Sequence, residues 1–145
     1  MKHILVLASL LTFLPAAAED APQEKPAAAK SAFAFPERPH YFKLQPDAFD
    51  KSRLANTNAV VLDVRTPEEF AKGHLKGAVL LDFKSPDFAA KLGVLDKSKT
   101  YLVHCAVGGR SAKACEQMHE LGFLRVANLE GGIKAWEAAG KPVEK

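Results

Sequence analysis

The residue types best suited to covalent chemistry fall in one run, Val103-His104-Cys105-Ala106-Val107-Gly108-Gly109-Arg110-Ser111. An apolar segment ends at a cysteine. A short loop follows, with two glycines and no proline, and Ser111 stands where it caps a helix. The amides of residues 106 to 110 are all free to donate. Gly108 and Gly109 accept the positive φ values that curl successive N–H groups inward, which makes a concave anion nest. A helix starting near Ser111 adds the positive end of its dipole, and Arg110 adds a full charge. All of these favour a thiolate at Cys105. Cysteines in comparable settings ionise at about 3.5–7.5, against about 8.5 for a free thiol. The cradle formed by Ala106, Val107, Gly108, Gly109, Arg110 and Ser111 also suits an incoming anion or a persulfide. The alternative is an inert thiol buried in the core.

Loop length separates two chemistries. Four residues lie between Cys105 and Arg110. A cysteine phosphatase loop is one residue longer and wants an aspartic acid nearby. The shorter ring of amides fits a single sulfur atom better than a tetrahedral phosphate, so sulfur transfer is favoured over phosphate ester hydrolysis.

Such a loop needs a buried strand before it and a helix after it. Ala59-Val60-Val61-Leu62, Ala78-Val79-Leu80-Leu81 and Tyr101-Leu102-Val103 are continuous apolar runs, the pattern of parallel strands covered on both faces. Phe42-Lys43-Leu44 and Arg125-Val126-Ala127 are weaker strand candidates. Helices are expected at 46–55, 67–72, 86–92, 111–121 and 131–139. The alternation predicts a three-layer α/β domain with a mostly parallel five-stranded sheet and helices on both faces. Ligands bind at the carboxyl ends of such strands, where Cys105 falls. Thr66-Pro67-Glu68-Glu69 reads as a capping box. Gly122 is a left-handed C-cap candidate, and Gly131-Gly132 opens the last helix.

Four ordered blocks resemble the rhodanese family. They are Leu62-Asp63-Val64-Arg65-Thr66-Pro67-Glu68-Glu69-Phe70 with Gly73-His74-Leu75-Lys76-Gly77-Ala78, then Cys105 to Ser111, then Leu121-Gly122-Phe123, then Leu129-Glu130-Gly131-Gly132 with Trp136. The resemblance runs from about 41 to 143. It implies a thiosulfate sulfurtransferase-like enzyme. Cys105 takes a sulfane sulfur from a small anionic donor such as thiosulfate, or from a persulfide, and passes it to cyanide or a thiol in ping-pong fashion. A protein sulfur acceptor or a thiol reductant is a further possible partner. No cofactor and no metal are implied. The competing readings are a sulfur carrier or redox-binding module that does not turn over, and a small cysteine phosphatase. The family often has Pro where Lys76 stands, which bears on loop rigidity and not on chemistry.

The resemblance makes Asp63 and Arg65 a structural ion pair between neighbouring loops and His74 a hydrogen-bonded structural residue. Arg110 either orients an anionic donor, sits as a solvated charge, or braces the loop carbonyls. His104 neighbours the nucleophile in sequence, but strand alternation turns it to the opposite face. Trp136 reads as core. Cys115 is either a small buried hydrophobe or a disulfide partner for Cys105. The second reading requires Cα atoms within about 7 Å.

The 145 residues suit one domain, and the 48% apolar content supports a core without staples. With 20 basic and 17 acidic residues, scattered rather than clustered, nothing points to nucleic acid. Lys2-His3, the apolar run Ile4 to Leu14, Pro15 and Ala16-Ala17-Ala18 read as a signal peptide over 1–18, cut after Ala18. That apolar run is shorter than the ~20 residues that span a bilayer, so no stable membrane span is expected after cleavage. The expected location is periplasmic or secreted. Residues 19–40, rich in Ala, Pro, Lys and Glu, read as a flexible linker, with the catalytic domain over 41–145.

Overall fold

The computed structural model describes residues 41–145. The signal peptide expected over 1–18 and the linker expected over 19–40 lie outside the described residues. Ten elements follow in alternation: β1 (Phe42–Leu44), α1 (Pro46–Ala55), β2 (Ala59–Asp63), α2 (Pro67–Lys72), β3 (Val79–Leu80), α3 (Phe88–Gly93), β4 (Thr100–His104), α4 (Gly109–Glu120), β5 (Val126–Leu129) and α5 (Gly132–Ala138). The strands form one parallel sheet in the order β1-β5-β4-β2-β3. The expected three-layer α/β architecture is present.

Alternation along the central strands sorts their side chains between two cores. Leu62, Tyr101, Val103, Cys105 and Val126 pack against Phe88 and Leu92 of α3 and Ala114, Cys115 and Met118 of α4. Val61, Leu102, Ala127 and Leu129 pack against Phe49 of α1 and Ile133 and Trp136 of α5. Burial on both sides explains why β2 and β4 carry unbroken apolar runs. β4 sits mid-sheet, so its carboxyl end is walled by neighbours on both sides.

The expectations for β3 and for the fourth helix shift at their edges. β3 is an edge strand of two residues, and Val79 is 53% exposed. The Ala78 amide turns back to the Leu75 carbonyl at 3.0 Å, so the strand starts one residue late. That turn places Gly77 at φ +73°, the geometry of a type II turn with Lys76 at the position proline often fills. The fourth helix starts at Gly109, two residues before Ser111. Left-handed Gly108 (φ +98°) occupies the N-cap position without a side-chain cap, and the Ala112 amide closes the first turn on its carbonyl at 3.0 Å. Ser111 is therefore inside the first turn and does not cap the helix. Gly109 is its first residue and takes no positive φ.

Other termini follow their sequence signals. Thr66 and Glu69 form the reciprocal capping box of α2. Gly122 takes φ +87°, with Phe123 N bonded to the Met118 carbonyl and Gly122 N to the His119 carbonyl. This pairing closes α4 as a Schellman motif. No helix among the described residues is long and apolar enough to cross a membrane.

Candidate active site

Cys105 follows the last residue of β4 and is fully buried. Its Sγ accepts the Gly108 amide at 3.1 Å and faces the Ser111 hydroxyl at 3.3 Å. Burial pushes the thiol up. The Ser111 hydroxyl and the amides of Ser111, Val107 and Gly108 push it down, and the balance falls below the ordinary thiol value. A donor-lined concavity thus stabilises negative charge on this sulfur.

The loop carbonyls are held away from the sulfur by α5. The Ile133 amide binds the Cys105 carbonyl at 2.8 Å, and the Lys134 amide binds the Ala106 carbonyl at 3.2 Å. Gly132 makes this approach possible. A Cβ there would fall 2.5 Å from the Cys105 carbonyl oxygen and 2.6 Å from the Ala106 carbonyl carbon. Sequence reading assigned Gly131-Gly132 only to a helix start. An adjacent glycine pair opening a helix was the available signal for close backbone contact.

Arg110 lies on the first turn of α4. Its guanidinium binds both carboxylate oxygens of Glu69 at 2.7 Å. Glu69 also accepts the Thr66 amide at 3.1 Å. The Arg110 hydrogen bond, against opposing burial, holds its carboxyl down at about 2. Sequence reading gave Glu69 only the capping role and left Arg110 as a donor-binding, solvated or carbonyl-bracing charge. The structure joins the two instead. Their only sequence signal was that both follow strand ends on the same side of a parallel sheet.

Asp63 and Arg65 form a buried pair. Arg65 Nη2 reaches Asp63 Oδ2 at 2.6 Å and the Gly73 carbonyl at 2.7 Å, which ties the end of β2 to the end of α2. His74 bonds the Phe70 carbonyl through Nδ1 at 3.1 Å and stacks on the Phe70 ring at 3.8 Å. His104 is buried with its Nε2 3.6 Å from Asp63 Oδ2. Burial pushes its pKa down to about 4 against the opposing pull of Asp63, so it is neutral at neutral pH. Cys115 is buried in the same apolar cluster as Cys105. Burial, then the charges of Glu116 and Cys105, raise its thiol far above the usual range. Trp136 is buried and bonds the Pro142 carbonyl through Nε1 at 3.0 Å.

Among the described residues, no group of three or more His, Cys, Asp or Glu stands together as a metal site. An apolar groove of about 410 Å³, lined among others by Phe42, Leu44, Leu102 and Val126, includes no residue of the 105–111 loop.

The model of the rhodanese-like domain matches residues 48–139. The chain belongs to the rhodanese-like family. This rhodanese-like chain is 37% identical over 92 residues to a protein of Allochromatium vinosum named "Sulfurtransferase", covering 63% of this chain and 84% of that one. It is 35% identical over 104 residues to "Protein HIGH ARSENIC CONTENT 1, mitochondrial" of Arabidopsis thaliana. That match spans 65% of this chain and 62% of the longer plant protein. Among solved structures, a rhodanese-related protein of Thermoplasma volcanium superposes with a TM-score of 0.64 at 33% identity, over 72% of this chain and 98% of that one.

Proposed function

We propose that this rhodanese-like chain is a sulfurtransferase whose nucleophile is Cys105. The observation that carries the reading is the pair of donors on Sγ, the Gly108 amide at 3.1 Å and the Ser111 hydroxyl at 3.3 Å. They favour the charged sulfur despite its burial. The name of the Allochromatium relative supports the same activity.

In the first half-reaction the Cys105 thiolate attacks the outer sulfur of thiosulfate or of another persulfide-type donor. A new S–S bond forms to Cys105. The donor's own S–S bond breaks, and its electron pair leaves with sulfite or with the donor thiolate. In the second half-reaction a thiol or cyanide attacks the outer persulfide sulfur, and the bond pair returns to Cys105. The cradle that holds the thiolate receives it again, so no proton need move at the sulfur. Four residues between Cys105 and Arg110 favour this chemistry over a phosphoryl group. Intact-mass measurement after thiosulfate treatment tests it. A gain of one sulfur atom, absent in Cys105→Ser, is expected, and no gain with any sulfane donor sinks the reading.

The full burial of Cys105 favours a second reading, a carrier that keeps its persulfide covered until a protein acceptor engages the loop. Sulfur retained on Cys105 in the presence of cyanide supports the carrier. Steady turnover supports the enzyme. We also propose export to an oxidising, extracytoplasmic compartment, on the strength of residues 1–18 alone. Recovery in the periplasmic or secreted fraction, lost on deletion of 1–18, is the expected result.

A further inference from the structure

Ser111 has one hydroxyl proton and two acceptors for it. Its Oγ lies 3.3 Å from Cys105 Sγ and 3.1 Å from the Gly108 carbonyl oxygen. A hydroxyl donates once, so the two bonds compete. If the carbonyl takes the proton, the sulfur loses one of its donors.

The Gly108 carbonyl has two lone pairs. The Ala112 amide, at 3.0 Å, takes one as the first turn of α4. Asn128 reaches the same oxygen with Nδ2 at 3.4 Å. Asn128 sits on β5 in register with Val103 of β4, and Val103 shares its apolar cluster with Cys105. Paired residues of a parallel ladder project to the same face, so the amide enters the layer of the nucleophile. It is 4% exposed, and its Oδ1 has no hydrogen-bond partner among the described residues. An unpaired buried acceptor is a cost that an apolar residue of similar size avoids. Turning the amide over does not remove the cost, because Oδ1 would then face the Gly108 oxygen. Among the described residues, the one hydrogen bond this side chain makes is from Nδ2 to the Gly108 carbonyl.

We propose that Asn128 is a positioning residue for the nucleophile: with the Ala112 amide it fills both lone pairs of the Gly108 carbonyl and leaves the Ser111 proton to the sulfur of Cys105. Asn128 never touches the sulfur. It acts through Ser111, and its loss shows wherever the Ser111 donor shows. The ionisable groups that act on Cys105 or its peptide are Arg110, paired with Glu69 of α2, Cys115 of α4, held protonated by burial, and His104 of β4, held neutral by burial beside Asp63. They are the same in every variant below.

The inference rests on reading Cys105 as a reactive thiolate but on no particular sulfur donor, so the probe is alkylation. Iodoacetamide rates are followed against pH for the full chain, Asn128→Leu, Ser111→Ala and the double variant, with Cys105→Ser identifying the adduct. Asn128→Leu moves the midpoint upward and slows alkylation below it by up to about tenfold, as expected for a shift of up to one unit. In the Ser111→Ala background the same change adds nothing, because the proton it releases is gone. A folded Asn128→Leu protein with an unmoved midpoint, or an additive effect in the double variant, overturns the proposal. Should Asn128→Leu not fold, Asn128→Ser, one atom too short for Gly108, is read by the same criteria. A Cys105 unreactive at every pH in the unsubstituted chain overturns this proposal together with the sulfurtransferase reading. A reactive Cys105 with an unmoved Asn128→Leu midpoint overturns this proposal alone.

Discussion

Arg110 and Glu69 meet fork to fork, each guanidinium nitrogen 2.7 Å from its own carboxylate oxygen, across 41 positions of sequence. The pair bridges α2 and the helix after the cysteine loop. It also cancels the full positive charge nearest the nucleophile. Glu69→Gln is the informative change, because glutamine at this position still completes the capping box with Thr66. The expected stability loss is about 1 kcal/mol or less, since both side chains keep partial solvent contact at 23% and 31% exposure. The released Arg110 charge lowers the KM for dianionic thiosulfate severalfold, and the effect shrinks with added salt. Steady-state kinetics at two ionic strengths check this. A KM independent of both the substitution and the salt contradicts it.

Ionisation of Cys105 sets the second expectation. Its alkylation midpoint lies below that of an ordinary thiol, and Ser111→Ala raises it by removing the side-chain donor. Cys115 stays unmodified in the same experiment, because burial holds it protonated. Mass spectrometry therefore finds one adduct, on Cys105. Two adducts forming at comparable rates contradict the assignment.

The two cysteines also bear on oxidation. Both are free and buried in one apolar cluster. If Cys115 is packing alone, Cys115→Ala keeps sulfur loading and costs on the order of 1 kcal/mol. If it is a disulfide partner, oxidative inactivation reversible by dithiol disappears in that variant. The position of Cys115 inside α4 and its raised pKa favour packing, and unchanged oxidative inactivation in Cys115→Ala is the expected result.

His104 gives a pH dependence of stability with a definite sign. An unfolded histidine binds its proton below about 6.5. The folded one binds it only near 4, chiefly because of burial. Between those values the unfolded state holds more protons, so stability falls as pH falls. The loss is on the order of 3 kcal/mol by pH 4. Glu69 acts lower. Its contribution is present above the unfolded carboxyl pKa and fades as pH drops toward about 2. Urea midpoints between pH 7 and 4.5 therefore decline in the unsubstituted protein and flatten in His104→Gln. Parallel slopes contradict the assignment.

Much of the scaffold is readable from local pattern, because the central strands are covered on both faces. Val61-Leu62 and Leu102-Val103 have no solvent side and so show no alternation. Val79 and Leu80 have a similar local pattern, yet they sit at an edge. Strand order, not composition, makes that difference. The helix start was misassigned for a related reason. Serine is the better cap by side chain, but left-handed Gly108 at the same turn closes the loop, which frees Ser111 to face the sulfur. The donors around Cys105 were legible because the Val107, Gly108 and Ser111 amides and the Ser111 hydroxyl all lie within six residues of it in sequence. Glu69 against Arg110, Asn128 against Gly108 and Gly132 against Cys105 were not, since each pair meets only once the sheet order β1-β5-β4-β2-β3 is set.

Gly132 carries the sharpest steric prediction. At φ +60° any side chain is strained, and a Cβ would fall 2.5 Å from the Cys105 carbonyl oxygen. Backbone cannot yield as a flexible side chain does, so Gly132→Ala must push the loop away from α5. The left-handed conformation alone costs about 1–2 kcal/mol for alanine. Gly77→Ala isolates that term, because Gly77 has φ +73° and nothing within 4 Å of its would-be Cβ. The expected contrast is a modest loss of stability with full sulfur loading for Gly77→Ala, and a larger loss with displaced loop amides for Gly132→Ala. A shift of about 1 Å in such groups lowers rates by about a hundredfold. Thermal melts and single-turnover sulfur loading, measured side by side, decide it. Equal behaviour of the two variants means that contact between α5 and the loop does not control the cradle.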